Sequence, residues 1–94
     1  METVTYGAEI ETDYDAAADV LYLSRGAPEP SESERKSKGI LLRFSFVGDA
    51  PSGVTVVGFR KNHWDRHLAK LAKIVGSHVG IPPHVVEQAI RKGL

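Results

Sequence analysis

Apolar residues occupy every second position from Ile40 to Phe46, and this alternation restricts the fold more than any other feature of the chain. A period of two places successive side chains on opposite faces of a strand, so residues 40–47 predict a strand with one strongly apolar face. Residues 48–53 contain Gly, Asp, Pro and Ser, which favour a turn, and the apolar segment 54–60 follows them. The sequence therefore predicts an antiparallel hairpin on which the hydrophobic core is built.

Two further strands are predicted nearer the N-terminus. Residues 3–11 alternate between apolar and polar, which favours a strand with one solvated face. Residues 20–23 are apolar on both faces, as is typical of a central strand. The acidic and alanine-rich segment from Asp13 to Asp19 predicts a tight connection, in which Asp15 accepts backbone N–H groups two or three residues further on.

The segment between the predicted strands at residues 20–23 and 40–47 has no aromatic and no branched aliphatic residue from Ser24 to Lys38. Such a segment buries too little apolar surface to offset the entropy lost on ordering, which is about 1–2 kcal/mol per residue for the backbone. We therefore expect a mobile loop at residues 24–38.

The pattern changes to a helical period after Asn62. Apolar residues recur at spacings of three and four from Trp64 to Val75, and Asn62 is a favourable cap, so residues 63–76 predict an amphipathic helix. A proline pair precedes residues 84–92, which predict a second short helix.

These elements predict an α+β fold in a single domain, residues 1–94. Residues 1–60 would form a small antiparallel sheet of three to four strands, interrupted by the mobile loop. Residues 61–94 would form one or two C-terminal helices packed on that sheet. Because the strands have two apolar faces and the helices are short, we also expect a homodimer.

Composition excludes several classes of protein. A chain of 94 residues can build one modest core, and the absence of cysteine removes disulfides, thiolate nucleophiles and cysteine-based zinc sites. The N-terminus lacks the pattern of a secretory signal, and no apolar run approaches the roughly 20 residues of a membrane helix. We expect a cytoplasmic protein that binds no membrane and no cofactor and has no enzymatic activity.

The formal net charge of zero conceals two oppositely charged halves. Residues 1–34 carry nine acids and one base, whereas residues 35–94 carry eleven bases and three acids. On the predicted first helix, basic residues lie opposite the apolar stripe and beside His63 and His67, and their charges add at one surface. The candidate binding residues for nucleic acid or a protein partner are Lys61, Arg66, Lys70 and Lys73. A phosphate backbone and an acidic protein surface both remain open as ligands, and a merely solvated helix face is the alternative.

Two clusters contain residue types that bind metals. Asp13, Asp15 and Asp19 offer the oxygen ligands that hard cations take, but they lack the spacing of a calcium loop. His63 and His67 are four residues apart, as in a zinc protease motif, but the glutamate that would act as general base is missing. A metal-dependent hydrolase is therefore kept only as a further alternative, and no catalytic or metal-binding residue is assigned.

A helix-turn-helix motif is another alternative for the C-terminal segment. Small, turn and core residues fall roughly at its expected positions, although Gly76 lies inside the first helix and the proline pair lengthens the turn. The side chains facing a DNA groove would then be His84, Gln88 and Arg91.

The segment from Asp13 to Leu23 reads DYDAAADVLYL, with Tyr14-Asp15 followed by an alanine-rich spacer and then Asp19-Val20-Leu21-Tyr22-Leu23. This segment, together with the later string VVGF at 56–59, resembles a small bacterial family known as domain of unknown function 2283. The resemblance covers about residues 12–60, and Phe59 and Arg60 stand where the family usually has an acidic and then an aliphatic residue.

The resemblance implies a small antiparallel sheet with helix, no established functional residues, and genes that often lie beside genes of small ribonuclease-like toxins. Together with the charge distribution it favours an antitoxin-like or accessory binding protein, whose acidic N-terminal third neutralises a ribonuclease-like toxin partner. The alternative is a nucleic-acid-binding regulator that binds DNA or RNA through the basic C-terminal helix.

Overall fold

The computed structural model describes residues 10–26, 31–46 and 48–94. Their backbone forms one antiparallel sheet followed by two helices, so the predicted α+β fold is confirmed. The sheet has five strands rather than three to four: β1 (Ile10–Asp15), β2 (Val20–Arg25), β3 (Ser31–Ser37), β4 (Ile40–Ser45) and β5 (Pro51–Val57). Their order is β1-β2-β5-β4-β3, which places the apolar β5 at the centre and the polar β1 and β3 at the edges.

The expectation of a mobile loop at residues 24–38 is wrong for most of that segment. Ser24 and Arg25 complete β2, and Ser31–Ser37 forms β3, which pairs with β4 except at Lys36, where the register shifts. An edge strand obtains its order from backbone hydrogen bonds to one neighbour, so it needs few apolar side chains. Residues 27–30 lie outside the described part of the chain.

The first predicted strand extends further toward the C-terminus than expected. Strand β1 continues to Asp15, so Asp13 lies in the strand and only residues 16–19 form the connection to β2. Within that turn the Asp15 carboxylate accepts the backbone N–H of Ala18 at 3.1 Å, as predicted. The part of the prediction that falls on residues 3–9 lies outside the described residues.

The first helix also begins later than predicted. His63 has a left-handed backbone, with φ 63°, so a right-handed helix cannot run through it. A 3₁₀ turn at Trp64–Arg66 follows, and α1 spans Leu68–Val79. Helix α1 passes through Gly76 and ends at Gly80, where φ is 75°. The Ile81 carbonyl packs so closely on Gly76 that a Cβ there would clash, which explains the glycine inside the helix.

Helix α2 spans Pro83–Gly93, and both helices pack on the same face of the sheet. Thr12 of β1 donates to the carbonyl of Ala89 in α2 at 3.0 Å, and Arg25 donates to the carbonyl of Val79 at the end of α1 at 2.7 Å. The core between the two layers includes fully buried side chains from β2, β4, β5, the turn after β5 and both helices: Leu21, Leu23, Ile40, Val54, Val56, Phe59, Leu71, Val75, Val86 and Ile90. Neither α1 nor α2 has the length and continuous apolar surface that spanning a bilayer requires.

Candidate functional site

Asp19 holds together the turn before β2 and the chain after β5. Its backbone is left-handed, with φ 57°, and its carboxylate accepts the Tyr14 hydroxyl at 2.7 Å. The same carboxylate accepts the backbone N–H groups of Arg60 at 2.9 Å and Lys61 at 3.1 Å. Asp19 therefore fixes the path by which the chain leaves the sheet and approaches α1.

These contacts shift the pKa values of Asp19 and Tyr14 in opposite directions. The backbone N–H of Arg60, followed by the Tyr14 hydroxyl, lowers the pKa of Asp19 below its usual value, because both donate to the charged form. Donation to the Asp19 carboxylate raises the pKa of Tyr14. The Arg60 guanidinium lies 5.4 Å from the centre of the Tyr14 ring and donates to its hydroxyl at 3.2 Å. The contacts among Tyr14, Asp19 and Arg60 thus have a structural role in this chain.

The turn between β3 and β4 is attached to the segment that precedes α1. The Trp64 indole N–H donates to the Lys38 carbonyl at 3.1 Å, and the Asn62 amide donates to the Val57 carbonyl at 3.2 Å. The carbonyl of Gly39 accepts the N–H of Val57 at 2.8 Å. The hairpin of β3 and β4 is therefore held beside the start of α1, with Lys38 at the junction.

A groove with basic walls runs between this hairpin and α1, and we call it the basic groove. It consists of two depressions of about 300 and 460 Å³ that share Ile74. Lys70 and Lys73 project from α1, and Lys36 and Lys38 come from the hairpin. Three histidines also line it: His63, His67 and His78. The groove thus brings four lysines from two sequence segments to one surface.

The lysines of the basic groove are not neutralised by described carboxylates. The ion pairs between described residues are Arg60 with Asp65, at 3.8 Å, and Arg91 with Glu87, at 2.8 Å. Two exposed acids of β3 lie on this side of the hairpin by register: Glu34 is paired with Leu42, which lines the groove, and Glu32 is paired with Phe44, whose ring contacts His78. The four lysines outnumber these two acids, so the groove has a positive local charge that attracts anions.

The structure separates the four residues predicted from the helical stripe. Lys70 and Lys73 line the basic groove. Arg66 lies with Lys70 beside Glu87 and Arg91 of α2, in another depression. Lys61 is exposed where its backbone N–H meets Asp19.

Sequence reasoning missed Lys36 and Lys38, because they belong to the segment interpreted as a loop. The available signal was the short spacing between these lysines and the strand from Ile40, which leaves room only for a tight turn.

The two sets of residues considered for metal binding are placed differently. Asp19 turns toward Tyr14 and Arg60, whereas Asp13 and Asp15 alternate with Tyr14 in β1 and so face the other side of the sheet. His63 and His67 line the smaller depression of the basic groove. Within residues 10–26, 31–46 and 48–94, no group of three or more His, Asp or Glu side chains is arranged to hold a metal ion.

The sheet face opposite the helices, here called the open face, is covered by no described helix. Alternation along β2 places the buried Leu21 and Leu23 toward the helices and Tyr22 on the open face. Arg43 of β4 reaches across β5 on this face and donates to the Leu23 carbonyl at 2.6 Å and to the Ser24 hydroxyl at 2.9 Å. Burial lowers the pKa of Arg43.

A glycine in β5 permits this crossing. A Cβ at Gly53 would clash with the guanidinium of Arg43 and with the Leu23 carbonyl. Beside the crossing, a shallow concavity of about 600 Å³ is lined by Glu11, Asp13 and Tyr22 together with Thr12, Ser24 and Arg43. The open face thus has a fixed arginine near its centre and carboxylates along β1.

Comparison with known protein families, with curated proteins and with solved structures found no match to this chain. The resemblance of residues 12–60 to domain of unknown function 2283 therefore stays a prediction from the sequence.

Proposed function

We propose that this protein is a small, non-catalytic bacterial binding protein of antitoxin-like or accessory type, which attaches to the phosphate backbone of nucleic acid through the basic groove. The observation that supports this most strongly is the meeting of Lys36, Lys38, Lys70 and Lys73 on the two walls of one groove. Lysines that contact phosphates release condensed counterions, so such a groove binds without reading base sequence. Because the β3–β4 hairpin lies beside α1, the lysines line a concave site and not the flat face of a charged helix.

The basic groove can be tested by the salt dependence of binding to labelled mixed-sequence duplex DNA and single-stranded RNA, measured by fluorescence anisotropy. Each lysine–phosphate contact contributes a slope of about −0.9 in log K against log salt for duplex DNA and about −0.7 for a single strand. We test two double variants, Lys70→Ala with Lys73→Ala and Lys36→Ala with Lys38→Ala. We expect each double variant to bind more weakly and to have a duplex slope that is smaller in magnitude by about two units.

The matched control is Lys61→Ala with Lys92→Ala, which removes the same charge outside the basic groove. If this control reduces the slope as much as the groove variants do, the binding reflects overall charge and the proposal is wrong. The same conclusion follows if the unsubstituted protein binds neither probe.

A second function, the neutralisation of a ribonuclease-like toxin, is favoured by the acidic side of the open face. Glu11, Asp13 and Asp15 occupy alternate positions of β1, so their carboxylates form a strip along one sheet edge. All three residues are exposed. A strip of this charge is complementary to the basic RNA-binding surface of a ribonuclease.

This second function is tested by co-expression with the product of the adjacent gene. We expect a complex that co-purifies and relieves growth arrest, and we expect Glu11→Gln, Asp13→Asn and Asp15→Asn together to weaken it at least tenfold. The control is Glu32→Gln, Glu34→Gln and Asp49→Asn, which removes three charges elsewhere. A neighbouring product that neither binds nor arrests growth would exclude this role.

A further inference from the structure

The inner strands of the open face expose apolar side chains. Tyr22 of β2 is 39% exposed and Val57 of β5 is 45% exposed, although both belong to the inner strands of the sheet. Thr55 lies between Tyr22 and Leu41 in the strand register and is buried. Inner strands with exposed aromatic and branched side chains are characteristic of a face that packs against another surface.

The residues paired across the five strands at the level of Tyr22 form a row, and opposite charges occupy its two ends. The register pairs Asp13 with Tyr22 at one end and Leu41 with Arg35 at the other, and Thr55 joins the two halves. Side chains of directly paired residues point to the same face, so all five belong to the open face. The row therefore runs from an acid on β1, through apolar and hydroxyl groups, to a base on β3.

We infer that the open face binds a second copy of this chain, face to face, about a two-fold axis that runs parallel to the strands over β5. This rotation places β1 of one copy over β3 of the other. It leaves the position along the strand direction unchanged, so each row lies directly opposite the same row of the other copy. Asp13 then lies opposite Arg35 of the partner subunit, and Tyr22 opposite Leu41 of the partner subunit. Both contacts occur twice, as a two-fold interface requires.

The distribution of charge selects this axis and this occupant. A two-fold axis perpendicular to the strands would place β1 over β1 and bring the carboxylates of Glu11, Asp13 and Asp15 against one another, which is unfavourable. With the axis parallel to the strands, the same face supplies both signs of charge to its own copy. The two ends of this row are thus self-complementary, while the Arg43 guanidinium near the axis stays bonded within its own copy, to the Leu23 carbonyl and the Ser24 hydroxyl.

The size of the interface sets the strength of the pairing. Five strands spaced about 4.8 Å apart and six residues long give a face of roughly 24 by 20 Å. Packing two such faces removes roughly 1,000 Å² in total, the lower limit for a specific interface. We therefore expect a reversible dimer with a dissociation constant in the micromolar range.

The dimer does not depend on the basic groove, which lies on the helix side of the sheet. It shares Asp13 with the acidic strip, so a ribonuclease-like partner bound there would compete with the second copy. Substitution of Arg35 distinguishes the dimer from binding of a ribonuclease-like partner, because the dimer needs Arg35 and the acidic strip does not include it.

The test is a pair of charge reversals studied by sedimentation velocity across a range of protein concentrations. Asp13→Arg and Arg35→Asp each place like charges opposite one another in a homodimer, so we expect each variant alone to be monomeric. In a mixed dimer the arginine introduced in one variant lies opposite the aspartate introduced in the other, and the native Asp13 and Arg35 meet at the second contact. We therefore expect the dimer to return when the two variants are mixed. Within one chain the two positions are four strands, or about 19 Å, apart and cannot compensate each other.

The control is Glu34→Arg, which reverses a charge adjacent to Arg35 on the other face of β3 and should leave association unchanged. Circular dichroism establishes that each variant is folded. The inference is overturned by a wild-type protein that remains monomeric, by single variants that still dimerise, or by a mixture of monomeric variants that fails to associate. Nucleic-acid binding by the same samples reports separately on the basic groove.

Discussion

At the scale of single residues, the Asp19 carboxylate joins groups that are near and far in the sequence. It is bonded to a tyrosine five residues before it and to two backbone N–H groups 41 and 42 residues after it. Its position before an apolar strand indicates a turn residue, and that much follows from sequence. The distant donors do not, because the return of the chain to this turn is decided by the pairing of β2 with β5.

We predict that Asp19→Asn lowers the melting temperature at neutral pH, because the variant loses the charge that the surrounding donors stabilise. The contacts lower the pKa of Asp19 in the folded state, so the carboxylate contributes stability above its unfolded pKa of about 4. This contribution is lost as the pH falls through the lowered folded pKa. The gap in unfolding free energy between wild type and variant should therefore close below about pH 4.

Chemical denaturation at a series of pH values measures this gap. Asp49→Asn is the matched control, because Asp49 also has positive φ, at 53°, and lies in the turn before β5. A gap between Asp19→Asn and wild type that stays constant into acid would show that the charge of Asp19 contributes nothing.

At the scale of elements, Trp64 connects the 3₁₀ turn to the β3–β4 hairpin. The apolar period predicts that Trp64 is a core residue, and its ring is buried as expected. The bond from its indole to the Lys38 carbonyl could not be predicted, because the sequence interpretation treated residues 24–38 as a loop with no fixed position. This bond holds the Lys38 turn beside the start of α1, where Lys38 and Trp64 both line the basic groove.

We predict that Trp64→Phe weakens nucleic-acid binding without removing a charge. Loss of the indole N–H leaves the Lys38 carbonyl with the longer bond from the Asn62 amide, at 3.4 Å, so the Lys38 turn is held less firmly. The duplex slope in log K against log salt should therefore become shallower by up to about one unit. In a Lys38→Ala background the same substitution should change the slope no further, since the lysine it positions is gone. Equal effects in both backgrounds would mean that Trp64 acts only through overall stability.

At the scale of the whole molecule, the charged residues are distributed over the surfaces of the fold differently from their order along the sequence. The chain is acidic up to residue 34 and basic after it, yet Glu32 and Glu34 share β3 with Arg35 and Lys36. Folding therefore gives a basic groove on the helix side and a face with both signs of charge on the other side. The first arrangement suits a polyanion, and the second suits a copy of itself.

The inferred dimer also makes the stability of the molecule depend on concentration. Because the second copy binds the folded chain, the melting temperature of the wild type should rise with protein concentration, whereas that of Asp13→Arg should stay constant. Differential scanning calorimetry at several concentrations measures this. A wild-type melting temperature that does not change with concentration would contradict the dimer.

The sequence alone determined the class of fold, because periods of two and three to four residues in its apolar positions are local properties. It determined the hairpin of β4 and β5 and the presence of the helices for the same reason. Only the tertiary structure decided that residues 31–37 form a strand, since an edge strand is ordered by its neighbour and not by its own side chains. It also decided which charges meet, because Lys38 and Lys70, or Asp13 and Tyr22, become neighbours through strand order and helix docking.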